Sequence, residues 1–187
     1  LHGRNVIIAD ESFLFSSVVS GLKTSSIKIT ASDSFELVSG SSLVTSTFGD
    51  ADGGDVLIKA KKIFLRDRAY IQSASSFIGS TKARGNAGNI SILSEQIEIS
   101  GGALINASTL SSGKGGNILI NSSESINIFG VSSDDGRSSG LFASSESSSG
   151  GQAGNIILKT RFLRVADGAT VNVSSVGQGT AGNIDIF

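Results

Sequence analysis

Short bursts of alternating apolar and polar residues recur along the chain. "GNAGNISI" at residues 85–92 returns as "GKGGNILI", "GQAGNIIL" and "GTAGNIDI", with a more distant copy, "DADGGDVLI", upstream. The first apolar residues after these Gly-Asn or Gly-Asp pairs are Val56, Ile90, Ile118, Ile156 and Ile184. They define a repeat of about 28 residues, lengthened in two copies by about 6 and 10. Each unit opens on an alternating pair: Val6/Ile8, Ile27/Ile29, Val56/Ile58, Ile90/Ile92, Ile118/Ile120, Ile156/Leu158. A second pair follows about seven or eight residues on: Phe13/Phe15, Phe35/Leu37, Ile63/Leu65, Ile97/Ile99, Ile126/Ile128, Leu163/Val165. A third stretch completes most units: Ser42/Val44/Ser46, Ala69/Ile71/Ser73, Ala103/Ile105/Ala107, Ala169/Val171/Val173, with Leu141/Ala143 in the lengthened fifth unit.

Period-two alternation gives each segment one core-facing side, and the β-branched bias favours strand over helix. Strands of roughly 3–5 residues are too short to stand alone or as one hairpin. They need neighbours of the same kind, and a constant repeat supplies them if each unit forms a coil that stacks on the next. The pattern therefore predicts an all-β parallel β-helix, a solenoid of about six to seven coils with three short strands per coil. At a strand spacing of about 4.8 Å this is a rod of roughly 30 Å. Residues 1–187 read as one such domain, with 1–24 an atypical first coil and insertions at 74–87 and 130–140.

Glycine before each first strand is expected to supply φ > 0 for a sharp turn. Stacked at that corner, Asn89, Asn117, Asn155 and Asn183 are placed for a side-chain amide ladder; the alternative is that Gly-Asn serves only as a turn dipeptide. "SGGA" at residues 100–103, "ADGA" at 166–169 and "SGSS" at 39–42 mark the corner between the second and third strands.

Composition narrows the function. The chain is 39% hydrophobic with a net charge of -1, so no basic field favours nucleic acid or an anionic membrane. No run approaches the ~20 apolar residues of a spanning helix, so no membrane insertion is expected. Cysteine is absent, excluding disulfides and thiol chemistry, and the lack of an initiator Met suggests a fragment or a processed chain.

The repeat in residues 85–120, "GNAGNISI…IEISGGALINASTLSSGKGGNILI", resembles those of filamentous-haemagglutinin-like exoproteins, the passengers of two-partner secretion. So does "FLRVADGATVNVSSVGQGTAGNIDIF" at residues 162–187, and the resemblance extends over about residues 25–187. It implies a secreted, right-handed β-helical stalk on a bacterial surface, often serving adhesion. That family's secretion domain carries Asn-Pro-Asn motifs, and this chain has no proline, so the resemblance covers the shaft alone.

Candidate chemistry is sparse. The outward second-strand positions Glu36, Phe64, Glu98, Asn127 and Arg164 form a mixed column rather than an acid/base site. Lys59, Lys61, Lys62, Arg66 and Arg68 share one coil, roughly 14 Å from Lys159, Arg161 and Arg164, and read as solvated basic edges. His2 has no second His or Cys beside it, and Asp50, Asp52 and Asp55 lack the tandem Asp pattern of calcium-binding nonapeptides, so neither a metal nor another cofactor is expected. Binding, if any, is expected in the insertions, because loops that interrupt a regular scaffold carry function. The first offers Phe77, Lys82 and Arg84 and the second Asp134, Asp135 and Arg137, both able to project from one side.

An aromatic with charged groups suits a host or surface glycan, or a protein. The leading expectation is a non-enzymatic structural or adhesive rod with open edges that allow end-to-end self-association. The alternatives are a glycan-binding module or a carbohydrate-active β-helix enzyme, which needs charged groups clustered across adjacent coils.

Overall fold

The computed structural model describes residues 1–18, 25–76, 84–146 and 150–187. Their secondary structure is all β, in parallel sheets. The first repeat contributes β1 (His2–Ile8) and β2 (Phe13–Val18), the second β3 (Ile27–Leu37) and β4 (Ser42–Thr47). The third contributes β5 (Val56–Lys59), β6 (Lys62–Leu65) and β7 (Tyr70–Gln72), the fourth β8 (Ile90–Ser100) and β9 (Leu104–Asn106). Then come β10 (Ile118–Phe129) and β11 (Gly140–Phe142), followed by β12 (Ile156–Lys159), β13 (Phe162–Ala166) and β14 (Thr170–Asn172), and finally β15 (Ile184–Ile186).

Each strand pairs with its counterpart one repeat away. A nine-stranded sheet runs β1-β3-β5-β8-β10-β12-β15, with β6 and β13 joined to the long strands, and a six-stranded sheet runs β14-β11-β9-β7-β4-β2. β3 and β8 each pair with both β5 and β6, so the first and second strands expected from the pattern are fused in several repeats.

The register stacks like on like. Ile29, Ile58, Ile92, Ile120 and Leu158 form one inward column. Phe35, Ile63, Ile97 and Ile126 form a second, and Leu43, Ile71, Ile105 and Leu141 a third. None of these side chains is more than 1% exposed, and Ile90, Ile118 and Ile156 are also fully enclosed. Each such burial stabilises by about 1.5–3 kcal/mol. Beside the third column runs an internal row of hydroxyls, Thr47, Ser75, Thr109 and Ser145, linked by isolated parallel bridges.

Three local expectations change. Val6 and Ile8 lie opposite Phe35 and Leu37, so they belong to the second-strand columns, not the first. Phe13 and Phe15 lie on a third-type strand and point outward at 72% and 61% exposure, while Leu14 faces the core. In β4 the inward residues are Leu43, Thr45 and Thr47 rather than Ser42, Val44 and Ser46, because Leu43 must meet Ile71.

The glycines before the first strands have a different purpose from the one expected. Gly88, Gly116, Gly154 and Gly182 do not have positive φ. A Cβ on Gly116, Gly154 or Gly182 would instead overlap the carbonyl oxygen of the equivalent glycine one repeat earlier, and one on Gly88 that of Gly54. Close backbone approach, not a left-handed turn, demands glycine there. The asparagines do form a ladder, but it runs from side chain to backbone, with one hydrogen bond between side-chain amides, Asn117 Nδ2 to Asn89 Oδ1 at 3.1 Å. Asn89 Oδ1 accepts from Asn117 N at 2.9 Å, Asn117 Oδ1 from Asn155 N at 2.9 Å and Asn155 Oδ1 from Asn183 N at 2.8 Å, with Asp55 taking Asn89 N at 2.8 Å. A parallel ladder links Asp52, Asn86 and the Lys114 backbone.

Positive φ falls at the other corner, between second and third strands. Ser39-Gly40, Gly101-Gly102 and Asp167-Gly168 follow the glycine signals in the sequence; Asp10-Glu11 and Asp67-Arg68 adopt the same conformation without glycine.

Candidate binding site

Residues 130–140 replace the tight corner between β10 and β11 with a small closed loop. Val131 and Ser138 form an antiparallel bridge, Ser132 N donates to Arg137 O at 2.8 Å, and Gly136 allows the turn at φ 70. Ser132 Oγ accepts from the backbone of Asp134 and Asp135, and Asp135 Oδ1 accepts from Arg137 N at 3.0 Å.

Instead of projecting freely, the loop folds back over the corners of two earlier repeats. Arg137 Nε donates to Gly102 O at 2.9 Å and its Nη2 to Arg68 O at 3.1 Å. Arg68 Nη2 in turn lies 3.3 Å from Asp134 Oδ2. Asp134, Asp135 and Arg137 thus come together as the sequence suggested, but Arg137 is committed to backbone carbonyls. Asp135 is held below the ordinary carboxylate range, first by the Arg137 backbone N–H and then by Ser132. It is therefore an anion at neutral pH, not a proton donor.

Between loop and corners lies an open cleft of about 790 Å³, lined by Asp10, Glu11, Asp67, Arg68, Val131 and Asp134 among others. A smaller hollow of about 310 Å³ on the other side of Arg68 presents Phe13 and Tyr70 beside Glu11, Asp135 and Arg137. Burial raises the Tyr70 phenol above its usual value, and the Asn106 amide donates to its oxygen at 3.1 Å. The arrangement offers aromatic faces, carboxylates and a guanidinium in an open setting, which suits a polyhydroxylated or protein ligand.

Arg84 is exposed and precedes the Gly-Asn corner, whereas residues 130–140 stand at the second-to-third-strand corner. Phe77 and Lys82 lie outside the described residues. Glu11 and Asp67 were not anticipated, and Arg68, expected on a solvated basic edge, is paired with Asp134 instead. Their signal in the sequence is a departure from the repeat: "DES" and "RDRA" stand where other units carry glycine. A side chain in the left-handed region costs on the order of 1–2 kcal/mol, and such strain concentrates at functional sites.

The outward second-strand column is as expected: Glu36, Phe64, Glu98, Asn127 and Arg164 are in register. Arg66 folds across it, 4.2 Å from the Phe64 ring centroid and 2.6 Å from Glu98 Oε1. No group of three or more metal-ligating side chains occurs among the described residues, where Asp52 and Asp55 instead anchor the two ladders. No described helix is long and apolar enough to cross a membrane. No family model, curated protein or solved structure matches the chain.

Proposed function

We propose that this chain is a segment of an extracellular, non-enzymatic adhesive shaft on a bacterial surface, built as a right-handed parallel β-helix. The observation that carries this reading is the like-on-like pairing, in which aliphatic columns pass from repeat to repeat through parallel pairs. Such a stack gains length and stiffness by addition of units. It does so here without disulfides, since cysteine is absent. The resemblance of residues 85–120 and 162–187 to two-partner-secretion repeats supports the same reading, including the extracellular setting.

In this reading the cleft beneath residues 130–140 receives a surface glycan or protein. The test is capture on glycan and surface-protein arrays by the whole chain and by a variant with residues 131–138 replaced by two glycines. The reading expects a ligand whose capture the variant loses. It fails if no captured ligand depends on the loop, or if the chain cleaves a polysaccharide.

A further inference from the structure

A second groove lies at the remaining corner, where first strands turn into second strands. Its origin is a difference in corner length. The chain takes three residues, 31–33, to pass from Thr30 to Ser34, and three again, 122–124, from Asn121 to Ser125. In the two repeats between, only residues 60–61 and 94–95 make the turn. Two bulged repeats therefore flank two tight ones, leaving a depression of about 590 Å³ with Ser32 and Ser123 among its lining residues. Bulges re-aim side chains and recur beside functional sites.

Its lining has a definite chemistry. Ala60 and Leu93, the latter 39% exposed, provide apolar surface. Thr30, Ser32, Asn121 and Ser123 provide hydroxyl and amide groups, and Ser94 Oγ is shielded from solvent without a hydrogen-bond partner. Lys59 and Lys61 provide two ammonium groups that make no ion pair or side-chain hydrogen bond among the described residues, and Glu95 is the one carboxylate among the described lining residues. Thr30, Lys59, Leu93 and Asn121 stand in one register column, and the next residue in that column is Lys159, with Arg161 two positions on. The basic pairs Lys59/Lys61 and Lys159/Arg161 thus recur along the stacking axis roughly 14 Å apart.

We propose that this corner binds a linear acidic polysaccharide. Its anionic groups lie on the two basic pairs, its hydroxyls on the Thr, Ser and Asn side chains, and the C–H face of a sugar ring on Leu93. A nucleic acid fits less well, because the depression itself is lined by no aromatic side chain, the one ring at this corner, Phe187, is stacked under Lys159, and the chain's net charge is -1. The site depends on the sheet register and lies apart from the cleft under residues 130–140, so it stands or falls independently of the adhesive assignment.

The test is titration calorimetry of the whole chain with an oligogalacturonate, the neutral galactan of equal length, and oligo-dT of matched charge. Binding to the acidic sugar is expected, with a loss of about tenfold or more on Lys59→Ala/Lys61→Ala, a smaller loss on Lys159→Ala/Arg161→Ala, and a gain on Glu95→Gln. Lys62→Ala, on the same repeat but outside the groove lining, should change affinity by less than about twofold. Equal affinity for the neutral sugar or for oligo-dT overturns the proposal, as does a Lys62→Ala loss as large as the double variant's. Circular dichroism of each variant confirms that the sheet is retained.

Discussion

One methyl group decides whether two repeats can stack at the Gly-Asn corner. A Cβ on Gly116 would overlap the Gly88 carbonyl oxygen, whereas one on Gly136, in the exposed loop, meets nothing within 4 Å. Gly116→Ala is therefore expected to cost about 1–3 kcal/mol by forcing backbones apart, read as a lower urea midpoint. Gly136→Ala should cost only the strain of its positive φ, about 1 kcal/mol. Equal effects of the two would contradict the close-approach explanation. The importance of these glycines was legible from their recurrence, but its cause was not. A single sequence shows that glycine returns at one position, and only the stacked neighbour shows that a carbonyl occupies the place of the side chain. Asn89, Asn117, Asn155 and Asn183 were easier, because a ladder requires only that they recur in register.

At the scale of strands, inward positions followed from period-two alternation for the aliphatic pairs of the central repeats, but in β4, which has neighbours on both sides, the phase was one residue out because Ser and Thr share its inward face with Leu43. The first repeat was misassigned because the step from Val6 to Phe13 imitates the step from Val56 to Ile63; the pattern cannot tell which column a pair will join. The difference between seven-residue and eight-residue spacings was visible in the sequence, and the structure makes it the bulge that shapes the lysine groove. In the cleft, Asp134, Asp135 and Arg137 were legible as an insertion, while Glu11 and Arg68 came from distant repeats that only stacking brings near. Arg137→Ala removes two bonds to carbonyls of earlier repeats. Limited proteolysis within residues 131–138 should then accelerate severalfold with little change in global unfolding; an unchanged cleavage rate would show that the loop is held by other contacts.

Contacts between adjacent strands also set a pH dependence. The Arg66 hydrogen bond holds the Glu98 carboxyl below its ordinary value of 4.5, against a smaller opposing effect of burial. A depressed carboxyl contributes stability that is full above 4.5 and is lost as pH falls through the folded-state value. The pair is partly exposed, so the contribution is modest and screened by salt. Glu98→Gln should lower the urea midpoint at pH 7 and leave it unchanged at pH 2. A difference that persists at pH 2 would assign the effect to packing against Phe64 rather than to charge.

For the whole molecule, everything rests on parallel, in-register stacking: it encloses the aliphatic columns, aligns the ladders, folds the loop onto earlier repeats and places the lysine groove. The chain has no cysteine, so paired cysteines can report that register without background. Ser91 lies opposite Leu119, and Glu98 opposite Asn127, all on outward positions of β8 and β10. Pyrene labels on Ser91→Cys/Leu119→Cys and on Glu98→Cys/Asn127→Cys are predicted to give excimer emission. The crossed pairs, Ser91→Cys/Asn127→Cys and Glu98→Cys/Leu119→Cys, should give monomer emission only. Excimers from the crossed pairs with monomer emission from the direct ones would mean antiparallel strands and would contradict the account.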